Sequence, residues 1–152
     1  MHFSEGWGMP AKMALKELKP WKELGETSEA RAFSGTAEYC AEFTIDGKVH
    51  GGKMMLDLGR VESLAEIEVN GRNVGVLWSF PYSIDISGAV RDGVNSLKVK
   101  VTDTWFNRLV FDAGQPEDKR RTWTIAGPGK NEPLRISGLI GPVRLVAECF
   151  AR

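Results

Sequence analysis

Across residues 64–78, apolar and charged side chains alternate as far as Asn70-Gly71. A period of two puts Ala65, Ile67 and Val69 on one face of a strand and turns Glu66 and Glu68 to water. Asn70-Gly71 then offers two residues that tolerate positive φ, as a type I′ turn requires, so the stretch predicts a β-hairpin. Val74, Val76 and Trp78 are expected to carry the inward face along the return strand. A half-buried hairpin of this kind needs a second layer to cover it.

The same alternation recurs on both sides. In residues 37–45, Tyr39, Ala41, Phe43 and Ile45 oppose Glu38, Glu42 and Thr44, and Asp46-Gly47 offers the turn. Residues 53–58 are more continuously apolar, the pattern of a strand covered on both faces. After Ser79-Phe80-Pro81, Tyr82, Ile84 and Ile86 alternate, and Ser87 is placed to cap one short turn reaching Val90 before Asp92-Gly93. Residues 95–102 set Leu97, Val99 and Val101 inward against Lys98, Lys100 and Thr102, and strand character returns in residues 142–150. Residues 1–32 read as an extended segment packed on the rest, although Met13, Leu15, Leu18 and Trp21 fit a helical spacing about as well; residues 23–32 suit a polar surface loop. About seven short strands joined by turn residues, without a long helix, predict an all-β antiparallel β-sandwich of the jelly-roll type, one domain over residues 1–152.

In residues 103–141 the alternation stops, yet the stretch holds Trp105, Phe106, Trp123 and the charge cluster Glu117-Asp118-Lys119-Arg120-Arg121. A long loop that keeps large aromatics is expected to be functional. Flat apolar faces beside planar polar groups suit the C–H side and the hydroxyls of a pyranose, so Trp105, Asn107, Arg108, Asp112, Trp123 and Arg135 are the candidate carbohydrate-binding residues. The competing expectation is structural, with Trp105 packing the end of the sandwich and Arg108 paired to Asp112. A second aromatic stretch, Trp78, Phe80 and Tyr82, is expected to pack, since Trp78 falls in phase with Val74 and Val76.

Lys plus Arg and Asp plus Glu balance at 20 each, which leaves no basic field for nucleic acid or anionic lipid. No apolar run reaches the length of a membrane span, and the first residues lack the pattern of a signal peptide. Cys40 and Cys149 fall on opposite faces of their strands and are expected to stay unpaired. With His2 and His50 as the only histidines, no zinc spacing exists, and no cofactor is expected. Asp57 and Asp85 offer carboxylates to a structural calcium, but the acidic set around them is sparse. Glu66, Glu68, Asp112, Glu117 and Asp118 carry no motif that marks an acid and nucleophile pair, and Gly127-Pro128-Gly129-Lys130-Asn131 lacks the first glycine and the closing hydroxyl of a phosphate loop. The isolated chain is therefore expected not to be an enzyme.

Several motifs come in a telling order: Phe33-Ser34-Gly35-Thr36-Ala37-Glu38-Tyr39, Leu56-Asp57-Leu58-Gly59, Val69-Asn70-Gly71, Val74-Gly75-Val76-Leu77-Trp78, Asn95-Ser96-Leu97, Trp105-Phe106-Asn107-Arg108-Leu109 and Ser137-Gly138-Leu139-Ile140-Gly141-Pro142-Val143. The set resembles the galactose-binding-like β-sandwich of large glycoside hydrolases. It is most similar to the C-terminal sandwich of family 106 α-L-rhamnosidases and more distantly to the sugar-binding domain of family 2 enzymes. Glu5-Gly6-Trp7-Gly8-Met9-Pro10 resembles the rhamnosidase segment leading into that sandwich, whereas residues 116–132 depart from the family pattern. The resemblance implies a non-catalytic accessory module, since the catalytic carboxylates of these families lie in a separate barrel. It also implies a periplasmic or secreted parent, with carbohydrate and the parent's other domains as partners. In the family 2 relatives the loop corresponding to residues 103–141 reaches toward the barrel's active site. A purely structural packing domain without a ligand is the alternative.

Overall fold

The computed structural model describes residues 1–46 and 52–148. Its strands are β1 (His2–Phe3), β2 (Thr36–Ile45), β3 (Lys53–Asp57), β4 (Arg60–Val61), β5 (Leu64–Val69), β6 (Arg72–Leu77), β7 (Ser83–Asp85), β8 (Gly93–Thr102), β9 (Leu139–Gly141) and β10 (Arg144–Glu148). Helices α1 (Trp21–Leu24), α2 (Ser28–Arg31) and α3 (Phe106–Ala113), with one 3₁₀ turn at Glu117–Lys119, complete the set. A five-stranded sheet runs β1-β2-β8-β5-β6, a three-stranded sheet runs β10-β3-β7, and β4 pairs with β9. All these pairings are antiparallel, as the expected sandwich requires.

The alternation accounts for the core. In the large sheet β8 lies between β2 and β5, so Val101 stands opposite both Ala37 and Ala65, and Val99 opposite Tyr39 and Ile67. These six side chains are buried in one cluster with Met54, Leu56, Leu58 and Ile86 from the region of the smaller sheet. Their alternates face water as a charge ladder: Lys98 Nζ lies 3.4 Å from Glu68 and 3.9 Å from Glu38, and Lys100 Nζ lies 3.6 Å from Glu66. The run in residues 53–58 also alternates, with Met54, Leu56 and Leu58 buried and Met55 only half-buried, so it is not closed on both faces.

The hairpin forms at the expected turn, with φ of 53° at Asn70 and 77° at Gly71. Its return strand departs from expectation. The β5–β6 register shifts between Ile67 and Glu68, so that Ile67 faces Gly75 while Glu68 faces Asn73 and Val74 is the additional residue. Beyond this bulge Leu77, not Val76, stands opposite buried Ala65. Val76 and Trp78 consequently point outward, Trp78 being 77% exposed, which corrects the packed role expected for it. Ala41 is likewise exposed, although Tyr39 and Ile45 on either side of it along the same face of β2 are buried.

Residues 1–32 are less extended than expected. Beyond β1 they form the two single-turn helices α1 and α2, the second capped where Thr27 Oγ1 accepts from the Ala30 N–H at 3.1 Å. Trp21 is fully buried, its indole N–H donating to the Tyr39 hydroxyl at 2.7 Å, and Ala30 and Ala32 are buried as well, so residues 23–32 are not merely a polar surface loop. Cys40 is a free, exposed thiol, whereas Gly47, His50 and Cys149 lie outside the described residues.

Candidate functional site

The long stretch after β8 is ordered by a helix that strand alternation could not reveal. Phe106, Leu109, Val110 and Ala113 recur at helical spacing, and Arg108 with Asp112 adds an i,i+4 ion pair, so α3 forms across residues expected to be structureless. No side chain caps its start, but the Arg108 N–H, one of the first-turn donors without a helical partner, reaches Ser34 Oγ at 3.1 Å.

Arg108 and Asp112 are the centre of a buried polar hub. The guanidinium donates through Nε to Oδ2 at 3.1 Å and holds Nη2 within ion-pair distance of Oδ1 at 2.9 Å, while Nη1 donates to Glu29 Oε1 at 2.9 Å. Trp7 and Phe111 present ring faces to it, with centroids 4.8 and 5.0 Å from the guanidinium carbon. Asp112 Oδ2 also accepts from the Thr122 N–H at 2.8 Å, the Thr122 hydroxyl at 2.6 Å and the Arg121 N–H at 3.2 Å. Burial pushes the Asp112 carboxyl up, but the Thr122 and Arg108 hydrogen bonds and the Arg108 charge outweigh it and hold the group below the usual aspartate range. The hub thereby ties the N-terminal segment, α3 and residues 121–122 into one unit.

A second clamp lies one residue earlier. Buried Asn107 donates through Nδ2 to the Arg135 carbonyl at 3.0 Å and accepts from the Arg135 N–H at 2.8 Å, pairing with that backbone as a neighbouring strand would. The Arg135 guanidinium lies 3.5 Å from the centroid of Phe106. Trp105 meets Trp7 edge to face, with centroids 5.1 Å apart, and is half-exposed.

These contacts divide the six expected carbohydrate-binding residues. Asn107, Arg108 and Asp112 spend their polar atoms inside the fold, which corrects the expectation that they meet sugar directly and realises the Arg108–Asp112 pairing set against it. Trp105, Trp123 and Arg135 remain accessible. Trp123 is 76% exposed one residue after the pinned Thr122, and with Leu109, Ile125 and Pro128 it lines an open groove of about 240 Å³. Glu29 and Thr122, which with Trp7 complete the hub, carry no sequence signal of their own, and Trp7 is marked only by its place in Glu5-Gly6-Trp7-Gly8-Met9-Pro10, which gives no hint of a contact with Arg108. Asp57 Oδ1 accepts from the Gly59 N–H and Asp85 Oδ1 from Ser87, so both are engaged by their own turns, and no group of three acidic, His or Cys side chains suited to a metal occurs among the described residues.

No protein-family model matches the chain. It superposes over 97% of its length on 14% of a rhamnosidase from Novosphingobium sp. PP1Y, with a TM-score of 0.86 and 43% identity. It is 34% identical, across 88% of its length and 14% of the relative's, to the "Putative beta-glucuronidase" of Formosa agariphila. A Ruminococcus gnavus beta-glucuronidase shares the fold alone, with a TM-score of 0.56 and 22% identity over 64% of this chain and 17% of the enzyme. In sequence and fold the chain thus corresponds to one domain of large glycoside hydrolases, spanning only 14% of the length of each of the first two proteins.

Proposed function

We propose that the chain is a non-catalytic accessory domain of a rhamnosidase-like glycoside hydrolase, nearest the C-terminal sandwich of family 106, and that residues 120–128 shape the parent's sugar pocket. The observation that carries this is the placement of Trp123: a strongly exposed indole on a segment whose preceding residue is pinned to buried Asp112. An exposed aromatic held in this way loses little conformational freedom on contact, which suits stacking against a sugar ring. The similarity to a rhamnosidase over nearly the whole chain supports the parent class.

The test is Trp123→Ala in the full-length parent, with KM and kcat measured on an aryl rhamnoside. A KM raised about tenfold with a small change in kcat is expected, the mark of lost binding common to ground and transition states. Unchanged kinetics would favour the packing-domain alternative, for which exposed Val76, Trp78 and Phe80 offer a docking stretch. The isolated chain is expected to hydrolyse neither aryl rhamnosides nor aryl galactosides. Turnover abolished by a single carboxylate substitution would contradict that.

A further inference from the structure

One side of the sandwich is open between its layers. There the apolar face of β2 and β8, with Ala41 and Leu97, fronts Leu15 and Leu18 of the N-terminal segment and Val143 ahead of β10, across a groove of about 260 Å³. Ala41 is exposed in this groove although Tyr39 and Ile45, on the same face, are buried. Leu145, two residues on from Val143, stands opposite fully buried Leu56 and is still 38% exposed, so the smaller sheet is uncovered here as well.

The same opening leaves backbone unpaired. Along its whole length β2 pairs with β8, but on its other side β1 reaches only Ala37 and Glu38. Successive residues of an antiparallel strand turn their N–H and C=O groups to opposite edges. The Ser4 N–H donates to the Thr36 carbonyl at 3.1 Å on the β1 side, so the even-numbered residues of β2 face that edge. Cys40, Glu42 and Thr44 each present an N–H and a C=O there, and no backbone group among the described residues pairs with them.

Shape and charge narrow the occupant. The groove is smaller than the ~300–1,000 Å³ of small-molecule sites, and it runs beside a strand edge, so the alternate side chains of one added strand suit it where a folded surface cannot enter. A second copy is disfavoured: antiparallel self-pairing centred on this edge sets two Glu42 carboxylates face to face, and like charges directly opposite destabilise a strand pair. Glu38 is engaged by Lys98, whereas Glu42 and Asp46 meet no cation among the described residues. The rim of the edge is therefore left negative, which favours a strand carrying basic residues.

We infer that the open edge of β2 binds an extended segment of another polypeptide as an additional strand, its alternate apolar side chains filling the groove and a basic residue between them meeting Glu42. The inference rests neither on the accessory-domain reading nor on Trp123. Its test uses a blocked peptide of about seven alternating valines and lysines, the length that spans Cys40 to Asp46. The peptide is titrated into this chain beside its valine–glutamate and serine–lysine counterparts, and the backbone amides are followed by two-dimensional NMR. Saturable shifts at Cys40, Glu42 and Thr44 are expected with the valine–lysine peptide, with a Kd on the order of 0.1 mM, since ordering a short strand offsets much of its hydrogen bonding. Those amides should also gain protection from hydrogen exchange, whereas Tyr39 and Ala41, whose N–H groups face β8, should change little. The serine–lysine peptide should bind about tenfold more weakly, having nothing apolar to place in the groove. Glu42→Lys is expected to reverse the preference between the valine–lysine and valine–glutamate peptides, and Ala41→Trp to abolish binding by filling the groove. Glu42→Lys alters an exposed side chain and is the deciding variant if Ala41→Trp fails to fold. Absence of saturable shifts at these amides, equal binding of the serine–lysine peptide, or an unchanged charge preference in Glu42→Lys would overturn the assignment. So would shifts at the same amides that grow with protein concentration in the absence of peptide, which would give the edge to a second copy.

Discussion

Strand β8 and the segment that follows it are adjacent in sequence and are ordered by different physics. From Leu97 to Val101 in β8 every second side chain is apolar and buried, and the backbone pairs on both sides with β2 and β5. After Thr102 that pairing ends, and buried polar side chains take over its role: Asn107 hydrogen-bonds the Arg135 backbone, and Asp112 gathers the Thr122 and Arg121 N–H groups. A sheet spreads its stabilisation over many equivalent contacts, whereas the hub concentrates it in a few groups that cannot be replaced one at a time. That arrangement leaves the intervening side chains, Trp123 and Ile125 among them, free of any packing duty and exposed.

The largest expected effect breaks the hub. Asp112→Ala leaves the Arg108 guanidinium, whose side chain is only 2% exposed, without its buried partner, and should cost about 3–5 kcal/mol by thermal or urea unfolding. Replacing both partners together, Arg108→Met with Asp112→Leu, should recover much of that loss, because no buried charge is then left alone. The same carboxylate sets an acid dependence. Its folded pKa is depressed, so the stability it contributes is present above the ordinary aspartate value of 3.8 and is lost as pH falls through the lower folded value. Unfolding measured across that window should show a shallower acid loss in Asp112→Asn than in the wild type.

The sheet side responds more mildly. Gly71→Val should cost about 1–2 kcal/mol, since φ there is 77° while no atom lies within 4 Å of the added Cβ; the penalty comes from the backbone alone. An unchanged unfolding midpoint would count against the hairpin turn. The smallest effect belongs to the outer charge ladder: Lys98→Ala should shift stability by less than about 1 kcal/mol, because its pairs with Glu68 and Glu38 are half-exposed. A loss as large as that of Asp112→Ala would mean that ion-pair burial is not what distinguishes the two regions.

This contrast also explains what was legible in the sequence. Alternation located β2, β5 and β8 and the Asn70-Gly71 turn, because a period of two is a local property and the core enforces it. It failed on β6, where one additional residue at Val74 reverses the phase and sends Trp78 outward; a bulge depends on the partner strand as much as on the strand itself. Helix α3 was present in the spacing of Phe106, Leu109, Val110 and Ala113, but the same residues were read against a strand template. Within the candidate site the residue types were visible and their orientation was not. Asn107, Arg108 and Asp112 have the chemistry of sugar ligands, and only the positions of Trp7, Glu29, Thr122 and Arg135, far away in sequence, decide that they face inward.

The most direct test of this account is amide hydrogen exchange at Thr122. If the buried carboxylate orders residues 120–128 as sheet pairing orders β8, the Thr122 N–H, which donates to Asp112 Oδ2 at 2.8 Å, should exchange only through the same large-scale opening that releases Val101. Its protection should fall to that of a free loop in Asp112→Ala under conditions where Val101 stays protected. A Thr122 amide that exchanges at unprotected rates in the wild type would contradict the account, because Trp123 would then sit on a mobile loop with no built orientation.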